Sequence, residues 1–214
     1  MSLLRWVPHR GTLPVLPPLD EVEGTPVMLL HGLMGSPGNF EPTVRALLEL
    51  GAPVTAPLYV RRGTVRVETS FAELVDFTGG ILAEAEHIDV VGHSLGGHLG
   101  LRLAHEFPGR VRTLVGVGAA FRGLPLPPNP VVRRGVSLVM GRGAGDLLTR
   151  VPFEAVVPEG TRVVSLISDA DRIVPAASAE FGEVRRIPAV RHEHLPGLAR
   201  EILEIGRASC RERV

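Results

Sequence analysis

The chain has 214 residues, with 23 basic and 23 acidic side chains and a formal net charge of zero. This length is sufficient for one domain with a sizeable hydrophobic core. A neutral chain gives no electrostatic reason to expect a nucleic acid or an anionic membrane surface as a partner. Hydrophobic residues make up 44% of the chain and charged residues 21%, which is typical of globular proteins.

The single cysteine, Cys210, cannot form an internal disulfide bond. No apolar stretch reaches the length of a transmembrane span. The first residues contain neither an uninterrupted apolar core nor the small-residue cleavage site of a signal peptide. We therefore expect a cytoplasmic protein without an integral membrane segment, unless a leader precedes residue 1. The sequence leaves the oligomeric state open.

The last ten residues, 205–214, read Ile-Gly-Arg-Ala-Ser-Cys-Arg-Glu-Arg-Val and resemble the translation of a common sequencing adapter. A genuine arginine-rich tail is the alternative. We expect a single domain over residues 1–204, followed by a tail that is not native.

The proline-rich residues 1–26 are expected to be irregular, and periodic elements follow them. Short apolar runs predict strands, in chain order, at 27–30, 53–57, 88–91, 111–117, 162–167 and 184–187. Apolar residues at helical spacing predict helices at 40–50, at 70–85 (with Ser70 as the N-cap), from the end of residues 92–97 to about 106, and at 198–203. Strands that alternate with helices, several of them continuously apolar, indicate a mostly parallel sheet of about six strands with helices on both faces.

One segment interrupts the alternation. Residues 119–160 are longer than a normal crossover, and they contain a proline run followed by an amphipathic stretch. Long insertions in compact domains are commonly lids or binding loops. We predict a small lid, with a plain crossover helix as the alternative.

Residues 92–96 read Gly-His-Ser-Leu-Gly and fit the G-x-S-x-G signature. This signature places a serine on a sharp turn between a strand and a helix, with its hydroxyl exposed above the sheet. The small residues two positions before and after it relieve crowding of the backbone. The predicted strand before the motif and helix after it fit this geometry, so Ser94 is the candidate nucleophile. The alternative is a glycine-rich turn without catalysis.

With this motif in its strand-turn-helix context, the chain resembles bacterial lipases and esterases of the α/β-hydrolase superfamily over roughly residues 25–204. It is most similar to the small, nearly lidless triacylglycerol lipases and their lipase-class-2 relatives. The resemblance implies the α/β-hydrolase fold, a Ser-His-Asp triad and an acyl-enzyme intermediate.

Residues 31–36, His-Gly-Leu-Met-Gly-Ser, resemble the family's H-G-x-x-G loop. In this fold one N–H of the oxyanion hole comes from that loop, and the other comes from the residue after the nucleophile. The resemblance implies the backbone amides of Leu33 and Leu95, with Met34 as the alternative for the first. His31 precedes Ser94, which is the wrong order for the base of this fold, so we interpret it as a scaffold residue.

Two carboxylates, Asp169 and Asp171, follow the predicted strand at 162–167. The family's acid is followed by x-I/V-V-P, a pattern that Asp171 matches with Arg-Ile-Val-Pro. Asp169 is the alternative acid, or else a turn carboxylate.

Two histidines, His192 and His194, follow the last predicted strand. The family's base is preceded by glycine and followed by a leucine three residues later. His192 fits with Leu195 in the leucine place, although Arg191 replaces the glycine. His194 is the alternative base.

The other histidines have no metal-ligand spacing, and the chain contains no H-E-x-x-H motif and no cysteine pair. We therefore predict no metal and no cofactor. The sequence also departs from the family at residues 118–124, where Gly-Ala-Ala-Phe-Arg-Gly-Leu replaces the frequent G-T-P-H-x-G-T.

Three functions fit these residues. The first is hydrolysis of carboxylic esters with an apolar acyl group, on a small-molecule or lipid substrate. The second is the same triad acting on a thioester or amide, or transferring acyl groups, because the fold does not fix the substrate. The third is a non-catalytic binding protein of the same fold, against which the combination of Ser94, Asp171 and His192 argues.

Overall fold

The computed structural model describes residues 11–124, 129–148 and 155–211. Six strands form one sheet in the order β2-β1-β3-β4-β5-β6, and each neighbouring pair is parallel. The strands are β1 (Val27–Leu30), β2 (Val54–Thr55), β3 (Ile88–His93), β4 (Val111–Val117), β5 (Arg162–Ser168) and β6 (Glu183–Ile187). The predicted parallel α/β architecture is confirmed.

Seven α-helices accompany the sheet in the described part of the chain. They are α1 (Glu41–Glu49), α2 (Val67–Leu82), α3 (Leu95–Glu106), α4 (Pro130–Met140), α5 (Arg142–Leu148), α6 (Ala176–Ala179) and α7 (Ala199–Arg211). Short 3-10 turns lie between several of them, one of which follows β6 at His192–Gly197.

Successive side chains of each strand pack into two separate cores, because a strand points its residues alternately to the two faces of a sheet. In β1, Met28 and Leu30 join the core beneath α2 and α3, whereas Leu29 joins the core beneath α1 and α7. Helices therefore cover both faces of the sheet, as predicted. The carboxyl ends of all six strands meet at one edge.

Helix α2 begins before its predicted cap. It starts at Val67, so Ser70 is buried within the helix and does not cap it. The Val67 amide instead donates to Asp146 Oδ2 of α5 at 3.0 Å. A carboxylate from the insertion thus satisfies a free N–H at the start of α2, which local sequence patterns cannot indicate.

The insertion contains α4 and α5, while residues 125–128 and 149–154 of it lie outside the described part. Helix α5 is tied to the rest of the fold, because Gly143 N donates to Thr64 O at 3.2 Å and Asp146 accepts the Val67 amide. Helix α4 leaves large apolar side chains in solvent: Val131 is 77% exposed and Leu138 83%.

Helix α7 is longer than the predicted segment at 198–203 and continues past residue 204. Ile205 is fully buried in the core beneath α1 and α7. The non-native origin of residues 205–214 stays a prediction. Across the described ranges, none of the helices is long and apolar enough to cross a membrane.

Candidate active site

Ser94 occupies the turn between β3 and α3, with a left-handed φ of 53° and a ψ of −116°. A left-handed conformation is costly for a residue with a side chain and persists only where the surroundings fix it. Three backbone hydrogen bonds fix it here. Ser94 N donates to Val117 O at 3.2 Å, and Ser94 O accepts the amides of Gly97 and Ala120, each at 3.1 Å.

The glycines around Ser94 are required by close packing. A Cβ on Gly96 would overlap the carbonyl oxygen of Leu30, and one on Gly92 would lie 2.5 Å from Gly97 Cα. Helix α3 therefore crosses β1 and β3 at backbone contact distance. The predicted strand-turn-helix around Ser94 is present in the structure.

Asp171 lies in the turn after β5, and both of its carboxylate oxygens accept hydrogen bonds. Oδ1 accepts the amides of Ile173 at 2.8 Å and Val174 at 3.0 Å, and Oδ2 accepts from His192 Nδ1 at 2.7 Å. Burial alone would raise the pKa of Asp171, but the His192 hydrogen bond and the two amides outweigh it and hold the pKa below its ordinary value of 3.8. The carboxylate is therefore ionised at neutral pH.

His192 opens the 3-10 turn after β6 and is buried. Because its Nδ1 faces the Asp171 carboxylate, Nδ1 carries the hydrogen, and Nε2 is left with a free lone pair. This tautomer is the one that a general base requires.

The alternative acid and base lie elsewhere. Asp169 and His194 are both exposed. His194 Nε2 faces the Arg191 guanidinium at 3.1 Å, whereas His192 faces Asp171. The structure thus brings together Asp171 and His192, the pair that the resemblance selected.

The turn that bears Ser94 meets the segment of His192 through the residue before the serine, His93. The ring of His93, which immediately precedes Ser94, lies 4.5 Å from the ring of His192, centroid to centroid. The described residues form no hydrogen bond between Ser94 Oγ and His192. Such bonds are often long in unliganded enzymes and tighten when substrate binds.

The loop after β1 adjoins this turn, and a Cβ on its Gly32 would lie 3.0 Å from Ser94 Cβ. The Met34 amide is already used, because it donates to Arg62 O at 2.8 Å. The amides of Leu33 and Leu95 donate to no other described residue. The structure therefore favours Leu33 over Met34 as a donor to a ligand.

His31 is fully buried beneath this loop and stacks on Tyr59, with ring centroids 4.0 Å apart. Its Nδ1 lies 2.8 Å from Gly32 O, and the Tyr59 hydroxyl donates to His31 O. These contacts fix the start of the loop, which agrees with a scaffold role for His31.

Gly118 contributes to the site but was not recognised from the sequence. It follows β4 with a φ of +52°, and a Cβ there would lie 2.9 Å from Asp171 Oδ2 and 3.2 Å from His192 Nδ1. The hydrogen bond between Asp171 and His192 therefore lies directly against Gly118. The available signal was the glycine that begins the altered family pattern at residues 118–124.

No group of three or more potential metal ligands occurs among the residues that the structure describes.

Comparison with known families decides the classification. The family model for the alpha/beta hydrolase family matches residues 27–197, which is most of the chain. The protein belongs to the alpha/beta hydrolase family. The matched range includes Ser94, Asp171 and His192.

Of two curated relatives of this α/β-hydrolase, one is named for an activity and the other is not. A putative carbamate hydrolase of Variovorax paradoxus is 37% identical over 106 residues, 45% of this chain and 39% of the relative. An uncharacterised protein of Mycobacterium bovis is 30% identical over 184 residues, 76% of this chain and 52% of the relative. The chain thus spans about half the length of these relatives or less.

Solved structures with the same fold include lipases and esterases. A monoacylglycerol lipase of Paleococcus ferrophilus has a TM-score of 0.66 at 20% identity, covering 87% of this chain and 96% of that one. Est1E of Butyrivibrio proteoclasticus, solved with ferulic acid bound, has a TM-score of 0.67 at 14% identity, covering 88% of this chain and 90% of that one. At these identities the likeness establishes the fold alone.

Proposed function

We propose that this α/β-hydrolase is a serine hydrolase that cleaves carboxylic esters with an apolar acyl group. Ser94 is the nucleophile, His192 the general base and acid, and Asp171 the residue that orients the base. The observation that carries the proposal is the 2.7 Å hydrogen bond between His192 Nδ1 and Asp171 Oδ2, formed beside the strained turn that presents Ser94.

The reaction begins when the Ser94 hydroxyl attacks the ester carbonyl and His192 Nε2 takes its proton. The tetrahedral intermediate collapses, and His192 returns that proton to the departing alcohol, which leaves an acyl-enzyme on Ser94. Water then attacks the acyl carbon while His192 takes a proton from it, and this proton passes to Ser94 Oγ as the acyl–serine bond breaks and the acid leaves. The ionised Asp171 stabilises the imidazolium formed in each half-reaction.

The backbone amides of Leu33 and Leu95 would hold the oxyanion. Both amides have no partner among the described residues, and Leu95 is the first residue of α3, where the helix dipole favours negative charge. Losing one such donor in this kind of reaction costs about 3 kcal/mol of transition-state stabilisation.

The apolar acyl preference rests on the insertion at 119–160, which we propose acts as a small lid. Helix α4 presents Val131, Leu138 and Val139 to solvent. Exposed apolar clusters of this kind often mark surfaces that meet an apolar ligand.

A second candidate bond is a carbamate, favoured by the Variovorax paradoxus relative whose name records that activity. The same serine chemistry would apply, because an acyl-type carbonyl is attacked in both cases. A thioester, an amide or acyl transfer would use the same residues. A non-catalytic binding protein would have no need of the Asp171–His192 pair.

A panel of p-nitrophenyl esters from acetate to palmitate tests the proposal, with a p-nitrophenyl carbamate as the comparison. We expect turnover of the esters by the wild type and none above background by Ser94→Ala. No turnover of any ester by folded wild-type protein would contradict the proposed function. Turnover of the carbamate alone would move the assignment to the second candidate.

A further inference from the structure

His93 is a buried titratable residue that the proposed mechanism does not use. It is the last residue of β3 and directly precedes Ser94. Its contacts in the structure are with two different parts of the site.

On one side, His93 contacts the proposed base. Its Nε2 lies 3.0 Å from the backbone carbonyl oxygen of His192, and the two rings are tilted by 41° at a centroid distance of 4.5 Å. A carbonyl oxygen can only accept a hydrogen bond, so His93 Nε2 carries the hydrogen and donates it. The turn that bears His192 is thereby attached to the end of the nucleophile strand.

On the other side, His93 contacts the loop after β1. A Cβ on Gly32 would lie 2.9 Å from His93 Nδ1, so the ring packs directly against the backbone of that loop. One ring therefore lies between the segment with the Leu33 amide and the segment with the base. Both segments must keep a fixed distance from Ser94 Oγ for acyl transfer, because small displacements of catalytic groups reduce rates strongly.

We infer that His93 is a positioning residue, which holds His192 and the oxyanion loop at their working distances from Ser94. The inference rests on the proposed function. His93 acts through its Nε2–H bond to the His192 backbone, and it touches neither the substrate nor the transferred proton.

The charge state of His93 supports this role. Burial, together with the nearby His192, lowers the pKa of His93 to about 3. The ring is therefore neutral wherever esterases are ordinarily assayed, and the Nε2–H donor is always present. A neutral neighbour also does not oppose the positive charge that develops on His192 during the reaction.

Three substitutions separate the hydrogen bond from the shape of the ring. His93→Phe keeps a ring but removes the donor. His93→Gln places an amide N–H near the position of Nε2, whereas His93→Asn is one methylene too short to reach it. His105→Phe is the matched control, because it removes a comparable contact, His105 Nε2 to Val156 O at 2.9 Å, near the far end of α3.

Steady-state kinetics on a p-nitrophenyl ester, with thermal melts to confirm folding, test the inference. We expect kcat to fall about 10- to 100-fold in His93→Phe and His93→Asn, with KM changed less than about threefold. His93→Gln should restore kcat to within about threefold of the wild type, and His105→Phe should leave kcat unchanged.

Other kinetic results would overturn the inference that His93 is a positioning residue. Wild-type kcat in folded His93→Phe, or an equal loss in His93→Gln and His93→Asn, would show that the hydrogen bond does not position the base. If His93→Phe does not fold, the comparison of kcat between His93→Gln and His93→Asn still tests the hydrogen bond. Absence of ester turnover in the wild type would instead contradict the proposed function, and the inference with it.

Discussion

Helices α3 and α4 are both rich in apolar residues, but the structure uses them in opposite ways. Helix α3 is buried along nearly its whole length, and its first glycines touch the backbone of the sheet. Helix α4 leaves Val131, Leu138 and Val139 in solvent. The contrast shows that close backbone packing is concentrated under Ser94, whereas the insertion leaves apolar side chains exposed.

The largest effect on catalysis is expected in the site above the closely packed helix α3, at the acid Asp171. Asp171→Asn removes the charge that fixes the His192 tautomer, and comparable substitutions in serine hydrolases lower kcat about 10⁴-fold. Steady-state kinetics on a short p-nitrophenyl ester would measure it. Asp169→Asn is the control and should retain wild-type kcat, because Asp169 is exposed. A larger loss at Asp169 would reverse the assignment of the acid.

The same residue predicts a pH dependence of stability. The pKa of Asp171 is lower in the folded state than its ordinary value of 3.8, so the folded state binds this proton less readily than the unfolded chain. The resulting stabilisation is present above about pH 4 and is lost as the pH falls through the folded pKa. The difference in melting temperature between wild type and Asp171→Asn should therefore shrink below about pH 4. A difference that grows on acidification would contradict this sign.

A glycine pair tests the contrast between the helices directly. In Gly96→Ala the new Cβ would overlap Leu30 O, so we expect a loss of about 3 kcal/mol or more in the free energy of unfolding. In Gly135→Ala of α4 the Cβ meets nothing within 4 Å, so helix propensity should raise stability by about 0.5–1 kcal/mol. Denaturant titrations measure both. Equal changes in the free energy of unfolding would contradict the difference in packing between α3 and α4.

Gly118→Ala should affect catalysis more than folding. Its Cβ would press on both the Asp171 carboxylate and the His192 ring, in a backbone conformation that alanine tolerates poorly. We expect kcat to fall about 10- to 100-fold. Kinetics and melting curves on the same preparation would separate the two effects, and wild-type kcat in a folded variant would exclude Gly118 from the site.

The smallest effect is expected at the exposed surface of α4. Leu138→Ser should change the free energy of unfolding by no more than about 0.5 kcal/mol, because the side chain is already in solvent. If the insertion is a lid that contacts the acyl chain, kcat/KM should fall up to about tenfold for long-chain esters but not for the acetate. Val15→Ser, also at an exposed apolar residue, is the control. Equal kcat/KM for all chain lengths would contradict the lid.

Local patterns were sufficient for the turn at Ser94, because the glycines that permit it are adjacent in sequence. They were also sufficient for the alternation that predicts a parallel sheet. The resemblance implied Leu33 with Met34 as the alternative, but the sequence could not show that Arg62 O, far along the chain, accepts the Met34 amide. Local patterns placed the start of α2 at Ser70 because the group that caps Val67 is Asp146, far along the chain. Both features depend on a partner distant in sequence that satisfies a backbone group.

If Ser94 is an activated nucleophile, a fluorophosphonate probe will label its hydroxyl covalently. The chain contains no lysine, so trypsin cleaves only at arginine and releases Ser94 in the peptide 67–102, together with Ser70. Tandem mass spectrometry of the labelled peptide locates the adduct. We expect stoichiometric modification of Ser94 in the wild type and none of this peptide in Ser94→Ala. Folded wild-type protein that stays unlabelled, or that is labelled at Ser70, would contradict it.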